Sequence, residues 1–339
     1  MSTRIVLRLC LLTLVALLVL PSVTTGQIWI DGTQQSGGVY SNNDDVTTAN
    51  VYGSGSVING YNEGYNEGTG SIGTANVYDS GTVINGLTGG TGYITMANVY
   101  GGNVRNGFLG SLSGGTGYIT TANIYGGNVY NSDSFGTSAF IGTALLDGGT
   151  VVNAGQIANL TYASGIYECQ DGSIGTLTLA GNSANNTTGR SRHWGNIENL
   201  QFADDGSGIL TIRENADFVF ANPIRPIYFF SNPIHADSVD LTYGNIAIDL
   251  TGSISEGAGF SLLDLFKDFF YTDTADVFGT LSSLSIGEQQ FFDVGTDWTF
   301  TYVDGAWTGS VGSSVPEPAT LALVALGLAG LGLARRRRK

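Results

Sequence analysis

The residues best suited to chemistry are few and scattered. Arg190-Ser191-Arg192-His193-Trp194 places two guanidinium groups, an imidazole and an indole close together. Cations of that kind can hold a carboxylate, and an aromatic ring can lie against a sugar. Arg190, Arg192, His193 and Trp194 are therefore the candidate ligand-binding residues. His235 is the second of two histidines. Metal hydrolases bring several ligands at short fixed spacings. Two distant histidines do not, so no metal and no cofactor is expected. Asp204-Asp205 with Glu214, and Asp237 with Asp240, are the acid sets that could attack a glycosidic bond. That reaction needs two carboxylates about 5–10 Å apart across a cleft. Acids are common in this chain, so such pairs arise without selection. The nucleophile elbow of serine hydrolases is missing. No residue is assigned a catalytic role, and the chain is expected not to be an enzyme.

Composition explains why chemistry is hard to find. Charged residues make up 12% of the 339 positions and glycine accounts for 51 of them. An ordinary soluble protein has about 25% charged residues and about 7% glycine. Sixteen Tyr and sixteen Phe accompany the glycines. This mixture suits a β-rich chain with many tight turns. The formal net charge is −15. Setting aside Arg4, Arg8 and the five basic residues at the end leaves six basic residues and 27 of the 28 acids, so the body sits near −21. A surface of that sign repels phosphate backbones, which argues against nucleic acid as a partner. Cys10 falls in the leader, so Cys169 is the single thiol of the body and no internal disulfide can form.

The two ends carry an address. Arg4 and Arg8 precede a nearly unbroken apolar run, Leu9 to Leu20, and Thr24-Thr25-Gly26 offers a cleavage point before Gln27. Residues 1–26 are expected to be a secretory signal peptide handled by the general secretion machinery. At the other end, residues 319–334 are apolar and Arg335, Arg336, Arg337, Arg338 and Lys339 follow. Sixteen helical residues span about 24 Å, slightly short of a hydrocarbon core. The basic cluster favours the cytoplasmic side, so a single C-terminal transmembrane helix with the body outside is expected. The prolines of Pro316-Glu317-Pro318 keep the backbone before that helix extended and open to a processing enzyme. Together, Val315, Pro316, Glu317, Pro318, the apolar stretch and the basic cluster resemble the PEP-CTERM sorting signal, although Ala319 stands where that family often has Ser. The resemblance implies recognition by an exosortase-type membrane enzyme and cleavage near the Pro-Glu-Pro element. It also implies transient anchoring through the C-terminus, and a destination in the cell envelope, on the surface or in the extracellular matrix.

The body repeats itself. Asn50, Asn76, Asn98 and Asn123 recur inside Thr/Met-Ala-Asn-Val/Ile-Tyr, and each is followed by a second element: Val57-Ile58-Asn59-Gly60, Val83-Ile84-Asn85-Gly86, Val104-Arg105-Asn106-Gly107 and Val129-Tyr130-Asn131-Ser132. Period-two alternation and recurrent Gly exclude a helical repeat and fit a β-solenoid whose coils stack like residue on like. Ala49 and Val51 are expected inside, with Tyr52, Tyr78, Tyr100 and Tyr125 forming an outward row. That row is read as strand-to-strand packing in preference to a sugar-stacking platform. The Asn at 50, 76, 98 and 123 are expected to form an amide ladder on one face or the other. Leu262, Leu263, Leu265, Phe266, Phe269 and Phe270 suggest a short helix over the final coil, with strands near 289–294 and 298–302.

Runs such as Gly172 to Asn182 and Asp147 to Gly155 resemble the passenger repeats of bacterial autotransporters, which implies a right-handed parallel β-helix. Gly89-Gly90-Thr91-Gly92-Tyr93 and Gly114-Gly115-Thr116-Gly117-Tyr118 resemble the start of a calcium-binding nonapeptide. Tyr93 and Tyr118 stand where that repeat needs Asp, so the segments are read as turns. The expected organisation is a signal peptide at 1–26, a solenoid at 27–250, a cap at 251–312 and a sorting signal at 313–339. The expected role is structural or adhesive, with exopolysaccharide as a candidate partner. The alternative is a polysaccharide lyase or glycoside hydrolase on the same scaffold, since many parallel β-helices are such enzymes.

Overall fold

The computed structural model describes residues 27–30, 32–35, 39–61, 68–108, 114–132, 138–181, 184–185, 195–216, 234–270 and 276–312. The protein is mostly β, with a large parallel sheet that winds nearly closed on itself. One ladder climbs through Asp45–Tyr52, Thr69–Val77, Thr91–Val99, Thr116–Ile124 and the first half of Ser138–Asn153. It continues through Gln156–Cys169, Ser173–Leu179, Asn196–Phe202, Ala236–Asp240 and Val277–Phe278. At about 4.8 Å per rung these ten strands span on the order of 43 Å. A second ladder runs beside it through Val39–Asn42, Ser56–Tyr61, Thr82–Leu87, Asn103–Phe108 and Asn128–Asn131. The long strands at 138–153 and 156–169 turn from the first ladder into the second without a break.

The register stacks like on like. Ala49 pairs with Ala75, Ala75 with Ala97 and Ala97 with Ala122; Val51, Val77, Val99 and Ile124 follow suit. All eight side chains are fully buried. Small and β-branched side chains suit a narrow core, because opposed walls meet at short range and Val and Ile lose little rotamer freedom in a strand. Parallel pairing extends into the segment expected as cap: Asn245–Thr251 pairs with Thr280–Ile286.

Both ends are covered. Gln27–Ile30 folds back as a hairpin with Thr33–Gln35 and lies antiparallel on the first rung, Ile28 opposite Val51. At the other end, Thr280–Ile286 turns into Gln289–Gly295 antiparallel. A small antiparallel sheet of Gly259–Ser261, Trp298–Val303 and Ala306–Val311 joins the helix Leu262–Phe269 there. Ser261 caps the helix through Asp264 N–H, and Leu262, Leu265, Phe266, Phe269 and Phe270 are buried. Covering the last strand removes a template for unwanted pairing. Among the described residues no helix is long and apolar enough to cross a membrane. The expected transmembrane segment at 319–334 and the signal peptide at 1–26 lie outside the described residues.

Candidate functional site

The outer face of the first ladder is built from columns. With Ala and Val turned inward, the alternate residues face out: Thr74, Asn76 and Tyr78 in one rung, Met96, Asn98 and Tyr100 in the next. The Tyr rings stack almost parallel. Tyr52 and Tyr78 have centroids 4.6 Å apart, Tyr78 and Tyr100 5.1 Å, Tyr100 and Tyr125 5.4 Å. A sugar stacks on a ring face, and both faces of Tyr78 and Tyr100 are taken by neighbouring Tyr. The column therefore packs strand on strand and presents edges and hydroxyls. Burial in the stack, then the adjacent Tyr52 and Tyr100, push the Tyr78 phenol above its ordinary value. Beside this column the Asn amides form the expected ladder, on the outer face: Asn76, Asn98 and Asn123 each donate from Nδ2 to Oδ1 of the preceding rung at 2.8, 2.9 and 2.9 Å.

A second Tyr column corrects the sequence reading. Gly89 does turn, at φ +76°, but Thr91-Gly92-Tyr93 opens the strand Thr91–Val99, and Thr116-Gly117-Tyr118 opens Thr116–Ile124. Tyr93 and Tyr118 stack at 5.1 Å. The glycine in each motif makes room inside: a Cβ on Gly92 would sit 2.3 Å from Asn85 Oδ1, and one on Gly117 2.3 Å from Asn106 Oδ1.

Those two asparagines belong to an inner amide ladder that the sequence reading missed. Asn42, Asn59, Asn85, Asn106, Asn131 and Asn153 are almost completely buried. Each donates to the next at 2.7 to 2.9 Å. The second amide hydrogen goes to a main-chain carbonyl: Asn59 to Tyr93, Asn85 to Tyr118, Asn106 to Phe140. Burying an amide is costly unless its hydrogen-bonding groups are met, and here they are. The signal was Asn-Gly recurring at fixed places, an amide followed by a residue free to take positive φ. Gly60, Gly86 and Gly107 all do so, at +70°, +77° and +70°. Cys169 takes the ladder's next place, opposite Asn153 in register. The hydroxyl of Tyr167 accepts from Asn153 at 3.1 Å, and the thiol accepts from Gly172 N–H at 3.2 Å. Burial raises both the Cys169 thiol and, strongly, the Tyr167 phenol.

The candidate acids occupy turns and strands. Asp204 and Asp205 sit in the turn after Asn196–Phe202; hydrogen bonds from the Ser207 side chain and then from Ser207 N–H, at 2.8 Å, lower the Asp205 carboxyl. Asp237 and Asp240 share the strand Ala236–Asp240; Asp237 is exposed and Asp240 caps Thr242 N–H at 2.9 Å. Glu214 falls in the strand Ile209–Asn215. Its neighbour Arg213 meets Asp249 across the rung at 3.0 Å. His235 is exposed just before the strand Ala236–Asp240, and its carbonyl accepts Ile197 N–H. Among the described residues no three of His, Cys, Asp and Glu gather in a way that could hold a metal ion. Arg190, Arg192, His193 and Trp194 lie outside the described residues, as do Val315, Pro316, Glu317, Pro318 and Arg335 to Lys339.

No curated protein and no solved structure matches the chain. Its last residues, 314–339, match the family described as PEP-CTERM protein-sorting motif. That motif implies an exported, envelope-associated protein processed by an exosortase, a membrane enzyme. The chain carries a PEP-CTERM sorting motif at its C-terminal end.

Proposed function

We propose that the chain is a structural or adhesive component of the cell surface or extracellular matrix. It is delivered by the general secretion machinery, held briefly by its C-terminal helix and released or transferred by the exosortase. Its business is display and not catalysis, with exopolysaccharide as the partner and nucleic acid excluded by charge. The coil is a right-handed parallel β-helix, the hand that crossovers between parallel strands take, as in the passenger repeats its Gly/Thr-rich runs resemble. The observation that carries this reading is the outer face: columns of Thr, Asn and Tyr repeat from rung to rung and hydrogen-bond or stack on one another. Side chains engaged in their own column make a stiff surface, and Asp205 and Asp240 accept main-chain N–H groups of turns.

The test is expression in a host with an exosortase, comparing the full chain with one lacking 314–339. The full chain should appear in the envelope or matrix fraction, with an intact mass lacking 1–26 and the tail, and the truncated chain should be lost to the medium. A mature product still ending at Lys339 overturns exosortase processing. Release of reducing or unsaturated sugars from polysaccharide by the purified protein overturns the non-enzymatic role.

A further inference from the structure

One stretch of the outer face is not filled. Where the first ladder bends, the register steps from Ile141–Ile157 to Thr143–Asn159, and from Ile157–Ile174 to Asn159–Thr176. The residues passed over form the outer corner. In earlier rungs these are Thr47, Gly73, Thr95 and Thr120; then come Gly142, Ala158 and Gly175, and after them Glu198. Two small corners in succession, Ala158 and Gly175, floor an open groove of about 360 Å³ flanked by Gln156, Ser173, Asn159 and Thr176. Phe140 stands at one end and Glu198 at the other. Phe140 is the place in register where the Tyr93–Tyr118 column gives way to Gln156.

We propose that this groove binds a short uncharged segment of polysaccharide laid along the solenoid axis. The proposal rests on the matrix role proposed above and gives it a site. Sugar hydroxyls both donate and accept. Gln156 and Asn159 offer amides of both kinds, Ser173 and Thr176 offer hydroxyls, and Glu198 accepts. Phe140 supplies an apolar surface for the C–H face of a ring. Among the described lining residues there is no cation, and the chain is net negative, so a uronate, sulfate or phosphate ester finds no counter-charge. The groove crosses the rungs of Phe140, Gln156, Ser173 and Glu198, three intervals or roughly 14 Å, the length of a short oligosaccharide. One carboxylate among the described lining residues is enough to bind sugar, whereas hydrolysis runs on two.

Calorimetric titration of the secreted full chain with cellotetraose, maltotetraose and tetragalacturonate tests this. A neutral tetrasaccharide should bind and tetragalacturonate should not. Phe140→Ala, and Thr176→Trp, which fills the groove from an outward position, should each weaken binding at least about tenfold, with melting temperatures near that of the parent. Tyr100→Ala, on the other column, should bind like the parent. Absence of binding by both neutral probes, preference for tetragalacturonate, or an affinity in both groove variants equal to the parent's overturns the site. Affinity that survives in the groove variants leaves the matrix role standing on another surface. Failure of the parent to reach the envelope overturns that role whatever the groove binds.

Discussion

At the scale of single residues, the inner asparagines govern stability. Asn85 accepts from Asn59 and donates to Asn106 and to the Tyr118 carbonyl. Leucine has nearly the same volume but leaves the Asn59 N–H and the Asn106 oxygen without partners in a dry core. Each unmet group costs about 1–3 kcal/mol. Asn85→Leu should therefore lower stability by at least about 2 kcal/mol in denaturant titration, while Asn76→Leu on the half-buried outer ladder should cost clearly less; equal losses would refute the distinction. A second residue-scale expectation concerns alkali. Tyr167 is held neutral by burial, its phenol well above the ordinary value. The unfolded chain ionises first, so this contribution is complete below about pH 10 and drains away as pH rises beyond it. The raised Cys169 thiol acts in the same sense from about pH 8.5–9, so melting temperature should begin to fall there and fall further above about pH 10. A melting temperature that rises there would contradict the burial of Tyr167.

At the scale of the element, the rung depends on the turn after each buried Asn. Gly86 has φ +77°, and a Cβ there would lie 2.0 Å from the Thr116 carbonyl oxygen. Gly86→Ala combines left-handed strain with displacement of main chain, and should cost at least about 2 kcal/mol. Gly206, also at positive φ, has open space around its Cβ direction, so Gly206→Ala should cost only the backbone strain. An equal effect at both sites would show that close approach is irrelevant. This dependence also explains what could be read from the sequence. The Thr-Ala-Asn-Val-Tyr repeat announced the strand, its inward Ala and Val and its outward Tyr, because period-two alternation is local. The cap helix was legible because its signal is also local, a cluster of Leu and Phe at 262–270. The inner ladder was not, because Asn59 and Asn85 meet only through stacking, and Asn-Gly alone reads as a turn. The N-terminal hairpin at 27–35 was hidden too, since nothing in Gln27–Ile30 says which edge it will cover. The groove depends on two small corner residues, Ala158 and Gly175, falling on successive rungs, which becomes visible only when the register is known.

At the scale of the whole molecule, the solenoid is close to one-dimensional. Each rung touches its neighbours above and below, so stability is a sum over rungs and interfaces between two capped ends. That makes a sharp prediction about length. Asn98 and Asn123 are 25 residues apart and occupy the same column. Deleting residues 98–122 removes one member of the outer ladder, Asn98, one of the inner ladder, Asn106, and one Tyr from each column. It brings Asn123 onto Asn76 and Asn131 onto Asn85, in the phase their parents had. The shortened chain should fold to the same strand-rich circular dichroism, with a modest loss of stability and one cooperative transition. Removing 98–109 instead takes out about half a rung, so the inward Val and Ile of one coil meet the turn of the next and the amide columns lose register. That variant should fail to fold. If both deletions fold alike, or both fail alike, then equivalence between rungs is not what holds this protein together.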